Sequence, residues 1–310
     1  MDFPISQTHI SPVYLVAIGF IVGVLGGFFG VGGSFLVGPA LFGVGVPMNF
    51  VVGTDLAHIV GKSIVAARKH RTLGNIDLRL GGIMVIGTIA GVETGAQFIQ
   101  QLKRTAHIDI VVGVSFIFIM IGISAFMAWE GWRTWQLRRR EGKAAARAGK
   151  RARKSDVSAF DHIAKKIQSF GLPPHLSLPA SGIERISLWS IILVAYVGGL
   201  FSGFLGGGAG YIRMPSMIYL LGIPTHIAVG TDLFEIIISA GYGTFTHALK
   251  GNVDILIALV MHTGAAIGAQ IGATLTQYFA GPRIRLAFIP LPLIGAFIIL
   301  HGLLTGHPAK

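Results

Sequence analysis

Six stretches of the chain, residues 13–30, 83–100, 108–129, 187–205, 253–275 and 286–304, are apolar almost throughout. At 1.5 Å per helical residue, each is about long enough to cross a ~30 Å hydrocarbon core. Two more, 50–67 and 226–246, have similar length but are interrupted by polar and charged residues. The stretches 34–46 and 211–223 are too short to cross comfortably and read as half-helices or re-entrant segments. Each follows a Gly-rich motif, GGFFGVGGSFLVGP at 26–39 and SGFLGGGAGYIRMP at 202–215. The pattern therefore predicts helices broken by glycine, and it occurs twice.

The repeat continues beyond the glycines. VGTDL occurs at 52–56 and again at 229–233, followed by His70 or His247, then by GNID at 74–77 or GNVD at 251–254. Pro39 pairs with Pro215 at an offset of 176 residues. Thr54 with Thr231, His70 with His247 and Asp77 with Asp254 pair at 177. The expected fold class is an all-α integral membrane protein of two homologous helical repeats. Residues 1–132 form the first repeat, 133–185 a basic cytoplasmic linker and 186–310 the second repeat. Two related halves, each with a break that frees backbone groups to bind a solute between them, point to a transporter.

Composition agrees: 52% of residues are hydrophobic, 12% are charged, and the mean hydropathy is +0.70. There is no cysteine, which removes disulfides, thiolate metal sites and persulfide chemistry. No Lys or Arg precedes the first apolar segment and no small-x-small site follows it, so it reads as a retained membrane segment. The net charge of +12 is concentrated: residues 133–166 hold twelve Lys and Arg against Glu141, Asp156 and Asp161. That is the charge of a cytoplasmic loop facing an anionic leaflet, rather than of a nucleic-acid site. Trp129, Trp132 and Trp135 mark the interface, Ala-rich 143–152 suggests a short basic surface helix, and 171–182, with Pro173, Pro174 and Pro179, an irregular linker.

The same charges set topology. If the short segments cross, each half has five crossings and the halves are inverted, with Arg68, Lys69, Arg71, the linker, Arg283 and Arg285 inside. If they do not, each half has four and the halves are parallel. The inverted arrangement places more basic residues inside and is preferred.

Gly30, Gly32 and Gly33 sit in one break, and Gly206, Gly207, Gly208 and Gly210 in the other. Glycine accepts positive φ and lets backbone approach a ligand, and a helix starting after the break points N–H groups and a positive dipole end at it. Gly23, Gly87, Gly91, Gly95, Gly264, Gly268 and Gly272, spaced by four, read instead as packing faces. Ionisable residues within a membrane segment are costly and mark function. Asp55, His58 and Lys62 share one helical face, repeated by Asp232 and Glu235 with Ser239 in place of Lys62. Arg213 lies in the second half-helix. Arg213 or Lys62 is the candidate anion-binding cation, and Asp55, Asp232 or Glu235 the proton carrier. The alternative is a buried ion-pair network such as Asp55 with Lys62. With Glu93 included, the interior carries four acids against two cations, which suits an anion only if some carboxylates are protonated. His70 and His247 read as C-caps at the membrane surface, with gating as the alternative, and Asp77 and Asp254 as N-caps.

These motifs, Gly-x-Gly-Gly, a following proline, Gly-Thr-polar-Leu, then His and Gly-Asn-x-Asp in both halves, resemble the TauE/SafE family of sulfite exporters, over about 26–100 and 202–280. The resemblance implies a secondary transporter in the bacterial inner membrane for sulfite, organosulfonates or related sulfur-containing anions, coupled to protons. It departs at Asp55 and Asp232, where the family carries a small residue such as Ser, which keeps a cation or another small metabolite open as the solute. The substrate-binding set is Gly30, Gly32, Gly33, Thr54, Gly206, Gly207, Gly208, Arg213 and Thr231. The coupling or gating set is Asp55, His58, Lys62, Asp232, Glu235, His70 and His247. Expected partners are the anion, protons, lipid at the linker and a second copy in a homodimer. No cofactor, metal, nucleic acid or enzymatic activity is expected.

Overall fold

A computed structural model describes residues 1–104, 108–147, 161–169, 172–206 and 210–305. Twelve α-helices are found among them, with two small hairpins. The first half holds the hairpin β1 (Asp2–Phe3) and β2 (Thr8–His9), then α1 (Pro12–Phe29), α2 (Ser34–Gly43), α3 (Met48–Thr72), α4 (Leu78–Leu102) and α5 (Ile108–Arg147). A short helix, α6 (Asp161–Gln168), leads to β3 (His175–Leu178) and β4 (Ile183–Ser187). The second half continues with α7 (Leu188–Leu205), α8 (Gly210–Ser216), a π-helical turn Met217–Leu221, α9 (Thr225–Leu249), α10 (Ile255–Thr276), α11 (Gly281–Phe288) and α12 (Pro290–Leu304).

Seven helical stretches among the described residues are long and apolar enough to cross a membrane: α1, α3, α4, Ile108–Gln136 of α5, α7, α10 and Gly281–Leu304. The helix α9 is as long as α3, 25 residues, but is not among the seven. Their outer faces carry Val13, Ile86, Phe118, Leu193, Ile267 and Phe297, all more than 60% exposed, as lipid contact requires. The expected half-helices are present. The second ends in the π-helical turn, whose last carbonyl, Leu221, accepts a hydrogen bond of 2.8 Å from Gln168 of α6. Two linker expectations are corrected. Residues 143–147 continue α5 rather than starting a separate surface helix, and 175–182, expected as part of an irregular linker, belong to the hairpin of β3 and β4. Residues 148–160, the rest of the basic run, lie outside the described residues.

The glycine stripes decide how the helices pair. Gly19, Gly23 and Gly27 of α1 face the backbones of Met261, Ala265 and Ala269 of α10 in that order. Gly264, Gly268 and Gly272 of α10 face Val16, Phe20 and Val24. A methyl group at any of these glycines would strike a main-chain carbonyl, so the stripes set the helix spacing. In the other pair, Gly87, Gly91 and Gly95 of α4 face Ile192, Tyr196 and Leu200 of α7. Both pairs run parallel, and each joins the first helix of one half to the fourth of the other.

The third helices meet in the middle, side by side and in opposite directions. Gly53, near the start of α3, abuts Asn252 just after α9, and Gly230, near the start of α9, abuts Asn75 just after α3. The Asp254 N–H donates to Thr54 Oγ1 at 2.9 Å, and the Asp77 N–H to Thr231 Oγ1 at 2.9 Å. Asp77 and Asp254 cap the helices they precede, as expected: Asp77 accepts from the Leu80 N–H, and Asp254 from those of Leu256 and Ile257. Their second oxygens receive the hairpins, Asp254 from Ser6 and Asp77 from Ser181. Each capping aspartate thus holds one hairpin, Asp254 the hairpin Asp2–His9 and Asp77 the hairpin His175–Ser187.

Candidate functional site

Each break is shaped by the other half. Gly30, at φ +75°, lies against the main chain of Val229, and Gly206, at φ +84°, against that of Val52. Positive φ is the region where glycine is freely tolerated. Gly32 and Gly33 also take positive φ, and Gly33 begins α2. The close approach at Gly30, Gly33 and Gly206 is to the protein's own main chain: Val229, Val22 and Val52 respectively. Gly207 and Gly208 lie outside the described residues.

His70 Nε2 lies 3.0 Å from the Gly27 carbonyl in the last turn of α1, and His247 Nε2 lies 3.0 Å from the Gly203 carbonyl in the last turn of α7. A carbonyl only accepts, so each imidazole donates from Nε2. Both rings are fully buried. They are C-terminal caps, but of the broken helices rather than of their own. Thr54 and Thr231 join the same frame through the Asp254 and Asp77 N–H groups.

The charged groups gather inside that frame. In the second half, the Arg213 guanidinium of α8 pairs with Asp232 Oδ1 through Nε, and its Nη1 stands 2.6 Å from Glu235 Oε2 as an ion pair outside hydrogen-bond angles. All three side chains have no solvent exposure. Gly198 of α7 makes room for the Arg213 methylenes, and Gly210 for Asp232 Oδ2. Ser239 donates to Glu235 Oε2 at 3.2 Å.

The first half is built differently. Lys62 Nζ donates to His58 Nδ1 at 3.2 Å, and Asp55 Oδ1 lies 3.9 Å from the same ring nitrogen. The Asp55–Lys62 ion pair is not formed: among the described residues no carboxylate oxygen lies within 4.0 Å of Lys62 Nζ. Buried atoms without hydrogen bonds include Asp55 Oδ1, His58 Nε2, Arg213 Nη1 and Nη2, Asp232 Oδ2, Glu235 Oε1, His262 Nδ1, and the hydroxyls of Tyr211 and Ser202. Such atoms are costly to bury.

Glu93 is corrected out of the interior. Its side chain is 34% exposed and receives Tyr242 and Thr246 at 3.1 Å, Gln97 at 3.2 Å and Lys250 at 3.3 Å. Three acids, Asp55, Asp232 and Glu235, then face two cations, Lys62 and Arg213. The sequence reading passed over Tyr211 and Ser202, whose hydroxyls look unexceptional in apolar helices. It also missed Glu130, which is 2% exposed and accepts from Thr134 at 2.7 Å and Tyr219 at 3.0 Å. Its spacing of four from Thr134 was the available signal.

The model of the family described as sulfite exporter TauE/SafE matches residues 15–298, a span that takes in both breaks and every charged group above. The chain belongs to the sulfite exporter TauE/SafE family. It is thus an integral, multi-pass membrane transporter. The Bacillus subtilis probable membrane transporter protein YunE is 27% identical over 305 residues, which cover 95% of this chain and all of that protein. YjnA of the same organism, with the same description, is 24% identical over 291 residues, 93% of this chain and 96% of that protein. Over a shorter stretch of 82 residues, 24% of this chain and 30% of that protein, the Methanocaldococcus jannaschii probable membrane transporter protein MJ0441 is 39% identical. No solved structure matches the chain.

Proposed function

We propose that this TauE/SafE member is a proton-coupled secondary transporter of small sulfur-containing anions such as sulfite, residing in the bacterial inner membrane with its basic linker in the cytoplasm. The solute binds between the halves, at the buried polar groups of α3, α8 and α9. One observation carries the reading: in a protein of largely apolar helices, six fully buried ionisable residues from both halves converge on the meeting of the breaks. Placing them there is costly and has no evident structural return, since several of their atoms lack partners.

Opposite directions of α3 and α9 support inverted halves. Helices related by a two-fold axis run parallel if the axis lies along the membrane normal and antiparallel if it lies in the membrane plane. The second case is the inverted repeat of many secondary transporters, with the solute at the midplane. Proton coupling follows from charge. A proton taken up by Asp232 or Glu235 brings the interior from net −1 to neutral, which removes a repulsion that an anion would meet. Anion and proton therefore move together.

A cation reading is favoured by the same acidic surplus, with Asp55, Asp232 and Glu235 as ligands. The test is uptake of sulfur-35 sulfite into proteoliposomes with and without an imposed pH gradient, with unlabelled sulfonates, sulfate and acetate as competitors. Saturable uptake that rises when the proton gradient runs in the direction of flux is expected. Absent sulfite flux in both gradient directions, with flux of a cation, would overturn the anion reading.

A further inference from the structure

Arg213 is the obvious anion ligand by charge, and its Nη1 and Nη2 make no hydrogen bond, but its charge is already compensated. Asp232 and Glu235 flank it, so the three residues together carry −1 when all are ionised. An anion reaching those nitrogens would meet two carboxylates held at contact distance and would be repelled by their surplus charge.

Lys62 is in the opposite situation. It is 1% exposed, its hydrogen-bond partner is the neutral acceptor His58 Nδ1, and no carboxylate is in contact with it. An ammonium has three donors and no acceptor. Because it donates to Nδ1, the neutral His58 ring carries its proton on Nε2. That N–H is buried and has no partner. The pair therefore presents a buried positive charge and an unpaired neutral donor from adjacent turns of one helix.

Other groups around the pair come from three elements. Asp55 lies one turn earlier on α3, and its Oδ1 is also unpaired. His262 of α10 lays its ring over Gly61, within electrostatic reach of Lys62. Tyr211 of α8 brings an unpaired hydroxyl within electrostatic reach of Asp55.

We infer that Lys62 and the Nε2–H of His58 are the groups that recognise the transported oxyanion, and that Arg213 is a neutralised strut between α8 and α9. The inference rests on the anion-transporter reading and names its ligands. It also divides the labour between the halves: the first binds the anion, and the second takes up the proton.

The experiment is the concentration dependence of sulfite uptake into proteoliposomes for the wild type and for Lys62→Met, Lys62→Arg and His58→Gln, each checked for a monodisperse purified protein. Lys62→Met is expected to raise KM at least tenfold, His58→Gln to raise it by a smaller factor, and Lys62→Arg to recover most of the loss. Lys62→Met with a wild-type KM would overturn the inference while leaving the transporter reading intact. Should Lys62→Met fail to fold, an unchanged KM in His58→Gln would overturn it equally. A wild type that carries no anion of the panel would overturn both.

Discussion

The first half offers the interior Asp55, His58 and Lys62 on α3, whereas the second offers Asp232 and Glu235 on α9 with Arg213 on α8. Around these trios the two halves are close to identical. Each has a positive-φ glycine on the other half's valine, a histidine on the broken helix's carbonyl, and a threonine receiving the N–H of the other half's capping aspartate. The difference is confined to the charges. In the second half the cation is locked between two acids. In the first half it rests on a neutral imidazole. The backbone contacts of the two halves correspond, and the charges within them do not.

Removing each cation should separate the halves most sharply. Arg213→Met leaves two carboxylates buried without compensation and is expected to cost about 3–5 kcal/mol. Lys62→Met breaks no contact ion pair, because Asp55 interacts with Lys62 only at longer range, and is expected to cost less, about 1–2 kcal/mol. Thermal unfolding of the detergent-purified variants reads the difference directly, and equal losses would contradict the asymmetry.

Where the frame is shared, matched substitutions should act alike. Gly30→Ala forces a side chain into left-handed backbone and onto Val229, and Gly206→Ala forces one into a glycine-only conformation, φ +84° and ψ −176°, and onto Val52, for ~1–3 kcal/mol each. A large loss in one half alone would show that the breaks are not equivalent. Ser6→Ala and Ser181→Ala each remove a hydrogen bond to a capping aspartate, with an expected loss of ~0.5–1.5 kcal/mol by the same assay. The smallest effect is expected from deleting 148–160. Sulfite flux should be nearly unchanged, because the deletion spares α6 and its bond to Leu221. Loss of flux would make the linker part of the transport unit. A deletion through residue 166 would also remove most of α6 and would not isolate the basic run.

Much of the frame was legible in the chain because it is local or periodic. Glycines four apart announced the packing faces, and Asp77 and Asp254 announced themselves as caps. Partner choice was not legible: nothing in a four-residue spacing says that α1 packs on α10 rather than on α4. The hairpins escaped because their match is short: Pro4 and Ser6 recur as Pro179 and Ser181 at an offset of 175, too few identities to stand out without the aspartates they reach. At the site, the residue types that gather were readable, but their pairing was not. Asp55 and Lys62 share a helical face, yet His58 stands between them. Glu93 lies in an apolar helix but is rotated toward Lys250 on the surface. Helix rotation is set by tertiary packing, and a single sequence does not carry it.

The claim beneath all of this is that one frame is used twice in opposite orientations. The chain has no cysteine, so single cysteines report cleanly. Gln7→Cys and Glu184→Cys, exposed on the two corresponding hairpins, would be labelled in intact cells with a membrane-impermeant maleimide. The account predicts labelling of Gln7→Cys from outside, and of Glu184→Cys only after the membrane is opened. Labelling of both positions from the same side would mean parallel halves and would contradict it.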